Sequence, residues 1–400
     1  MNTSTDDQFD VIIIGAGVMG SSTAYHAAKT GLKTLLLEQF DFLHHRGSSH
    51  GESRTIRATY LQHHYYPLVM ESYELWQQAE AEAGYKVYFK AHHFDMGPHD
   101  DPTILAIINN CRKHGIPHQL LRPREAAEKF SGRFNLPEDW IGLSNEFGGV
   151  IKPSKAVAMF QALAFKNGAV LKDNAKVIDM KREKDYKDKG IVVFTAGGEK
   201  FRGKKCVVTA GAWVNKLVKT VIGIELPIQP IETHVMYWRV KQGHEGKFSI
   251  GGDFPTFASF GKKIYVYGTP TLEYPGLVKV AVHGGNPCDP DKRPWGSGVM
   301  VEELREWVEG RFSGMVDSSG PVVKQACMYS MTPDEDFVID FLGGEFGKDV
   351  VVGGGFSGHG FKMAPVIGRI LTQLVVDGEA SGVDLKHFRI GRFNTTTSKL

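Results

Sequence analysis

The sequence predicts an α/β fold in which a parallel sheet is interleaved with an α+β unit built on an antiparallel sheet. Three observations carry that prediction. An apolar run, Phe9-Asp10-Val11-Ile12-Ile13-Ile14, breaks into Gly15-Ala16-Gly17-Val18-Met19-Gly20 and continues as a helical pattern. Near the other end, Val350-Val351-Val352 runs into Gly353-Gly354-Gly355-Phe356-Ser357-Gly358-His359-Gly360-Phe361-Lys362 and then a helical stretch from Val366 to Val376. Between them lie short strand patterns at 235–240, 263–267 and 278–283, separated by turns as in an antiparallel sheet.

In chain order, Phe9 to Ile14 is β-branched and mostly apolar, as expected of a strand covered on both faces. Gly15 opens a turn, Ser21 to Thr30 reads as a helix closed by Gly31, and Lys33 to Leu37 is a second strand ending at Glu38. Three glycines at this spacing, followed some twenty positions later by an acidic residue, make the dinucleotide fingerprint of a Rossmann-like unit. Its glycines let the backbone approach a pyrophosphate, and its helix N-terminus offers N–H groups to the anion. Ala156 to Asn167 reads as a helix, and Ala169 to Val177 and Gly190 to Thr195 as strands. Lys205 to Ala210 is a strand entering the small-residue turn Gly211-Ala212-Trp213. No repeat, low-complexity tract or linker separates the units, so they are expected to interleave. Residues 1–89, 150–228 and 322–400 are expected in the dinucleotide unit, and 90–149 and 229–321 in a substrate unit.

The 400 residues suffice for two domains or one composite one. Hydrophobic content of 42% beside 23% charged residues is that of a soluble enzyme. A net charge of +2 leaves no basic stripe for nucleic acid, and no such partner is expected. Phe9 to Ile14 is too short to span a membrane and follows acidic residues, so neither a membrane segment nor a signal peptide is expected. Cys111, Cys206, Cys288 and Cys327 form no CxxC pair and no zinc spacing; they fit a reducing compartment, and no metal is expected. Ser398-Lys399-Leu400 follows a polar stretch at 394–397. The peroxisomal import receptor reads this tripeptide at a free C-terminus, so peroxisomal import is expected.

Three features favour FAD over NAD. A single fingerprint is present, with no second nucleotide fold for NAD beside a flavin. The loop Gly47-Ser48-Ser49-His50-Gly51-Glu52-Ser53-Arg54-Thr55-Ile56-Arg57 is basic and polar enough to line a long cofactor. The glycine turn near the C-terminus supplies a second docking point, with Lys362 as a fixed cation at the start of its helix.

Together these residues resemble the monomeric sarcosine oxidase group of FAD amine oxidases, which includes N-methyltryptophan oxidase and peroxisomal L-pipecolate oxidase. The resemblance runs from Asp10 to about Phe388. Its markers are the fingerprint at Gly15, the 47–57 loop, and Cys327-Met328-Tyr329 with Gly355 to Lys362. It implies a D-amino acid oxidase-like architecture, a monomer, and a flavin joined through its 8α carbon to a cysteine sulfur, the place Cys327 occupies. Cationic neighbours favour the thiolate that such a bond requires.

The resemblance also implies the site. Substrates are small amino acids with a secondary or tertiary amine, whose carboxylate Arg57 and Lys362 would hold as a fork and a point charge. Lys279, in the alternating strand Leu277 to His283, corresponds to a lysine over the flavin that assists reduction of molecular oxygen. His50 and Arg54 would neighbour the flavin ring, while Tyr267, His283 and Tyr329 would wall the substrate pocket. Expected cofactor contacts further include Gly15, Ala16, Gly17, Val18, Met19, Gly20, Glu38, Gly47, Ser48, Val177, Gly211, Trp213, Gly358, His359 and Gly360. No general base is evident, which suits electron delivery by a neutral amine.

The leading expectation is an oxidase of sarcosine, L-pipecolate or a related N-alkyl amino acid that produces hydrogen peroxide. A same-fold dehydrogenase passing electrons to a protein, and a catalytically silent FAD-binding protein, are the alternatives. Lys279 favours the oxidase, and Arg57, Lys279, Cys327 and Lys362 together argue against the silent protein. Two departures from the family pattern stand out. Ser49 replaces a second histidine beside His50, and the segment from Gly268 to Pro275 differs in length and chemistry. Thr269, in place of a bulky aromatic, is expected to enlarge the pocket toward a six-membered ring.

Overall fold

The computed structural model describes residues 8–183, 190–261, 263–272, 274–292 and 300–393. The Ser398-Lys399-Leu400 tripeptide lies outside them. Gln8–Ile14 is the central strand of a sheet with eight described strands. It runs parallel to Thr34–Leu37 on one side and to Lys200–Val208 on the other. Val170–Lys172 extends the sheet beyond the first of these, and Gly347–Gly354 beyond the second, both again parallel. Val338–Gly343 closes one edge antiparallel, and the hairpin of Val177–Arg182 and Ile191–Thr195 hangs from Lys200–Val208.

The apolar run at the start follows from this burial. Val11 and Ile13 enter one core with the helices Val18–Lys29, Pro153–Lys166 and Ala364–Asp377. Ile12 and Ile14 enter another with Val214 and Val218 of the helix Val214–Ile222. A strand alternates its side chains between faces, so covering both faces demands apolar residues at every position.

Register then builds the ligand edge. Ile14 stands opposite Leu37 and Val208, and Val208 opposite Val352. The first three strands end level and Gly347–Gly354 runs two residues further, so the turns that follow at Gly15, Glu38, Thr209 and Gly355 open on one edge. The first strand has its neighbours leading away on opposite sides, which is where doubly wound sheets bind ligands.

The second sheet has ten described strands. Arg54–Arg57 pairs with Trp140–Ile151, which pairs with Tyr88–Pro98. Thr256–Phe260, Tyr265–Thr269, Leu277–Val282 and Gln229–Arg239 follow in order, and Val323–Met331 lies on the last of these. All these pairs are antiparallel except Tyr88–Pro98 with Thr256–Phe260. One face buries an aromatic core that includes Phe94, Phe134, Trp238, Phe257 and Phe312. Arg54–Arg57 and Val323–Met331 fall within the segments 1–89 and 322–400, yet their ladders belong to this second sheet.

One expected strand is divided. In place of a single strand over 169–177, Val170–Lys172 and Val177–Arg182 belong to different ladders. Asn174 between them has φ +51°, and its N–H donates to the Phe40 carbonyl, so the chain turns there.

Candidate active site

A cavity of about 780 Å³ is lined by residues of both sheets. At its nucleotide end, Gly15 has φ +98°, and a Cβ there would stand 2.6 Å from the Thr209 carbonyl oxygen. Only glycine meets both conditions. The helix behind it starts at N-cap Gly17 with no side-chain cap and no acidic residue in its first turn. Its dipole is thus unopposed by a carboxylate at the end that would face an anion. Ser49 Oγ accepts a hydrogen bond from the Val18 N–H at 3.0 Å, tying the 47–57 loop to this helix start.

Glu38 braces the turn. Its Oε2 accepts from the Ala16 N–H at 2.9 Å, and its Oε1 from the Phe40 N–H at 3.1 Å. Ala16, Gly17, Val18, Met19, Gly47, Ser48, Val177, Gly211 and Trp213 line the same region of the cavity with Glu38. Gly20, expected among them, does not. A Cβ there would fall 1.8 Å from the Gly15 carbonyl oxygen, so this glycine serves close approach of helix and strand. A helix N-terminus free of acidic residues, a turn closed to any Cβ and a cavity of ligand-binding size fit a dinucleotide.

Farther along, Arg54 folds back on its own loop. Its Nη1 donates to the Ser53 carbonyl at 2.8 Å, and its Nη2 to those of Ser48 at 3.0 Å and His50 at 2.6 Å. The same Nη2 stands 3.7 Å from Cys327 Sγ. His50 is buried and lines the cavity here. Lys279 is only 2% exposed; its Nζ donates to the Ser53 carbonyl at 3.0 Å and lies 5.5 Å from the centre of the Tyr267 ring. Burial first, then Arg54, pushes Lys279 down to about 7, against an opposing pull from Cys327.

The substrate-sized end is walled by tyrosine and histidine. The Tyr267 and Tyr329 hydroxyls are 3.1 Å apart, and burial raises both above the ordinary tyrosine value. The His283 ring lies 4.9 Å from that of Tyr265 and 5.4 Å from that of Tyr329. Burial, then Arg57 and Lys362, push His283 down to about 4, leaving a neutral imidazole. Gly358, at φ +76°, makes room for Tyr329, since a Cβ there would stand 2.6 Å from its ring.

Arg57 and Lys362 meet here from opposite ends of the chain. Arg57 Nη1 donates to the Thr59 carbonyl, and its Nη2 donates to the Tyr265 hydroxyl at 3.3 Å. Its guanidinium lies 4.9 Å from the Tyr60 ring centre, and Lys362 Nζ lies 5.5 Å from the same ring. Burial works against the Arg57 charge, but Tyr265 and Asp95 outweigh it, and the pKa is raised. Lys362, 6% exposed, donates through Nζ to the His359 carbonyl at 2.8 Å. Burial, then Arg57, hold its pKa far below the ordinary lysine value. An anion alongside would favour its charged form. His359, whose ring meets the Tyr60 hydroxyl at 3.2 Å, is kept neutral by burial, and it lines the cavity with Gly360.

Thr269 also departs from expectation. It is buried, its hydroxyl lies 3.3 Å from that of Ser53, and it does not line the cavity. It stands opposite Lys279 in the ladder. Sequence reading in turn missed Tyr60 and Tyr265, which contact Arg57, and the hydrogen bond that Ser49 accepts from Val18. The spacing Tyr265-x-Tyr267 puts both rings on one face of a strand and is a usable signal; Tyr60, in a loop, has none.

This constellation is that of a flavin-dependent redox site, and comparison with known proteins agrees. The family of FAD dependent oxidoreductases matches residues 10–374. A probable sarcosine oxidase of Arabidopsis thaliana is 64% identical over 98% of this chain and 94% of its own length. The peroxisomal sarcosine oxidase of Homo sapiens is 37% identical, with 97% of each chain covered. Among solved structures, NikD, an unusual amino acid oxidase essential for nikkomycin biosynthesis, superposes with a TM-score of 0.80 at 23% identity. That match covers 96% of this chain and 97% of the other, and it speaks to the fold. The chain belongs to the sarcosine oxidase family of FAD-dependent oxidoreductases.

Proposed function

We propose that the protein oxidises small N-alkyl amino acids, sarcosine foremost, with oxygen as electron acceptor. The observation that carries this reading is Arg57 and Lys362 flanking one ring, Tyr60, in the cavity that Lys279 and Cys327 also line. The relatives named sarcosine oxidase support it. In the overall reaction the amine loses two hydrogens to become an imine, which water hydrolyses, and oxygen gains them as hydrogen peroxide. FAD, when bound, would supply the two-electron acceptor between the amine and oxygen.

The chain's own groups prepare that transfer. Arg57 grips the carboxylate through its fork, and the arriving anion lets Lys362 hold its proton. His283 stays neutral, and Tyr267 and Tyr329 keep their protons, so none places a second charge beside the amine. When charged, Lys279 stabilises negative charge developing on oxygen.

Cys327 carries the flavin covalently in this proposal. Cys327 would hold it through a thioether to the 8α carbon, the two hydrogens lost in making that bond going to oxygen as hydrogen peroxide. Arg54 Nη2, 3.7 Å away, puts a positive charge beside the sulfur where the bond would form. Peroxisomal residence belongs to the same proposal, supported by the names of the human and mouse relatives.

The test is peroxide formation by purified protein across sarcosine, other N-methyl amino acids, L-pipecolate and L-proline, with glycine as control. Peroxide with sarcosine is expected. Dye reduction without peroxide would make the protein a dehydrogenase, and no turnover would overturn the reading.

A further inference from the structure

Away from the cavity, three segments bring metal-ligating side chains together. His64 is the N-cap of the helix Tyr65–Ala83, Asp336 lies in the turn before Val338–Gly343, and His387 lies in the short 3-10 turn Leu385–Phe388. One ligand atom from each lies within 4.8 Å of the others. His64 Nε2 and Asp336 Oδ1 are 3.0 Å apart. The His64 and His387 rings are stacked, with centroids 4.1 Å apart and planes 8° from parallel.

The surroundings suit a metal better than an ion pair alone. The His387 imidazole brings a second nitrogen donor to within ligand distance of the His64–Asp336 pair. The Tyr65 hydroxyl donates to Asp336 Oδ1 at 2.7 Å, the kind of outer contact that fixes a ligating carboxylate. Both His64 and Asp336 are largely shielded from solvent, with side chains 11% and 15% exposed. A tetrahedral zinc ion with bonds near 2.0–2.1 Å holds its ligand atoms about 3.3 Å apart. His64 and Asp336 are already near that spacing, and rotation of His387 out of its stack brings in the third ligand. The carboxylate turn also reaches the cavity: Glu335, next to Asp336, accepts from His359 Nε2 at 3.0 Å through its carbonyl. Tyr65 packs edge-on against the His359 ring, with centroids 5.0 Å apart.

We infer that His64, Asp336 and His387 bind a zinc-like divalent transition metal, with water in the fourth position. Two imidazoles and one carboxylate select such an ion over magnesium or calcium, which take oxygen ligands. The ion would fasten the helix start, the 332–337 turn and the C-terminal 3-10 turn to one another.

The experiment uses tag-free, chelator-treated holoenzyme. Calorimetric titration with zinc chloride should show one ion per chain, and magnesium chloride should show none. Zinc should raise Tm in the wild type, because a ligand that binds only the folded state stabilises it. His387→Phe keeps a ring in the stack but removes the ligand, and His387→Ala removes both. Either should weaken zinc binding at least about tenfold and abolish the Tm shift while the flavin spectrum stays unchanged. In the wild type, electron paramagnetic resonance of bound copper(II) should show coupling to two imidazole nitrogens. No zinc binding by the wild type, or wild-type binding by His387→Phe, would overturn the inference and leave a hydrogen-bonded pair with a stacked neighbour.

Discussion

Arg54 Nη2 stands 3.7 Å from Cys327 Sγ, although 273 positions of sequence separate the two residues. The guanidinium cannot swing away, because the carbonyls of Ser48, His50 and Ser53 hold it. The sulfur is placed by a different constraint, the ladder in which Cys327 stands opposite Thr233. A tethered cation thus meets a positioned thiol, and the first prediction rests on that meeting.

Acid-precipitated wild-type protein should stay yellow, and Cys327→Ser should release its flavin into the supernatant. Arg54→Met should lower the covalently bound fraction while leaving Cys327 in place. Mass spectrometry of the denatured chain reads both outcomes. Wild-type protein that gives up all its FAD to acid would exclude the link.

Lys279→Met should slow reoxidation of the reduced enzyme by about 10²–10³, with a much smaller effect on reduction by substrate. The charged form of Lys279 is the helpful one, and burial lowers its pKa to about 7. Oxygen reactivity should therefore fall as pH rises above about 7, and the Lys279→Met profile should be flat there. Stopped-flow traces across pH check this; identical profiles would make Lys279 a structural residue.

Arg57→Ala should weaken binding of carboxylate inhibitors by about 2–5 kcal/mol, the usual cost of removing one partner of a desolvated charge pair. Flavin absorbance should persist, since Arg57 contacts Tyr265, Tyr60 and Thr59. Binding should also become more sensitive to high pH, because Lys362 would then face the anion alone with its pKa held down by burial. Spectral titration with acetate separates these effects.

Thr269→Val should leave the ratio of activities on sarcosine and L-pipecolate unchanged, since Thr269 is not on the cavity wall. It should cost about 1 kcal/mol of stability through loss of the contact with the Ser53 hydroxyl. A changed substrate ratio would return Thr269 to the pocket.

Much of the fold was legible because it rests on local patterns. Phe9 to Ile14, the glycines at 15, 17 and 20 and Glu38 announce a strand, turn, helix and strand by composition and spacing, and each forms. The broken strand at 169–177 was not legible, because the turn at Asn174 depends on the Phe40 carbonyl, far away in sequence. Which residues on the face of the strand Tyr265–Thr269 reach the cavity was not legible for a related reason. Strand alternation tells which face a side chain takes, but not where along that face the cavity stops.

By itself, then, the sequence determined the dinucleotide unit, the polar loop that meets it and the residue types that redox chemistry on an amino acid requires. Backbone periodicity and glycine's conformational freedom act over a few residues, so a linear reading reaches them. Only the tertiary structure decided that Arg57 and Lys362 flank the same ring, that Arg54 faces Cys327, and that Lys279 is buried far enough to titrate near neutrality. Those facts depend on sheet register and on desolvation, which arise from contacts between residues hundreds of positions apart.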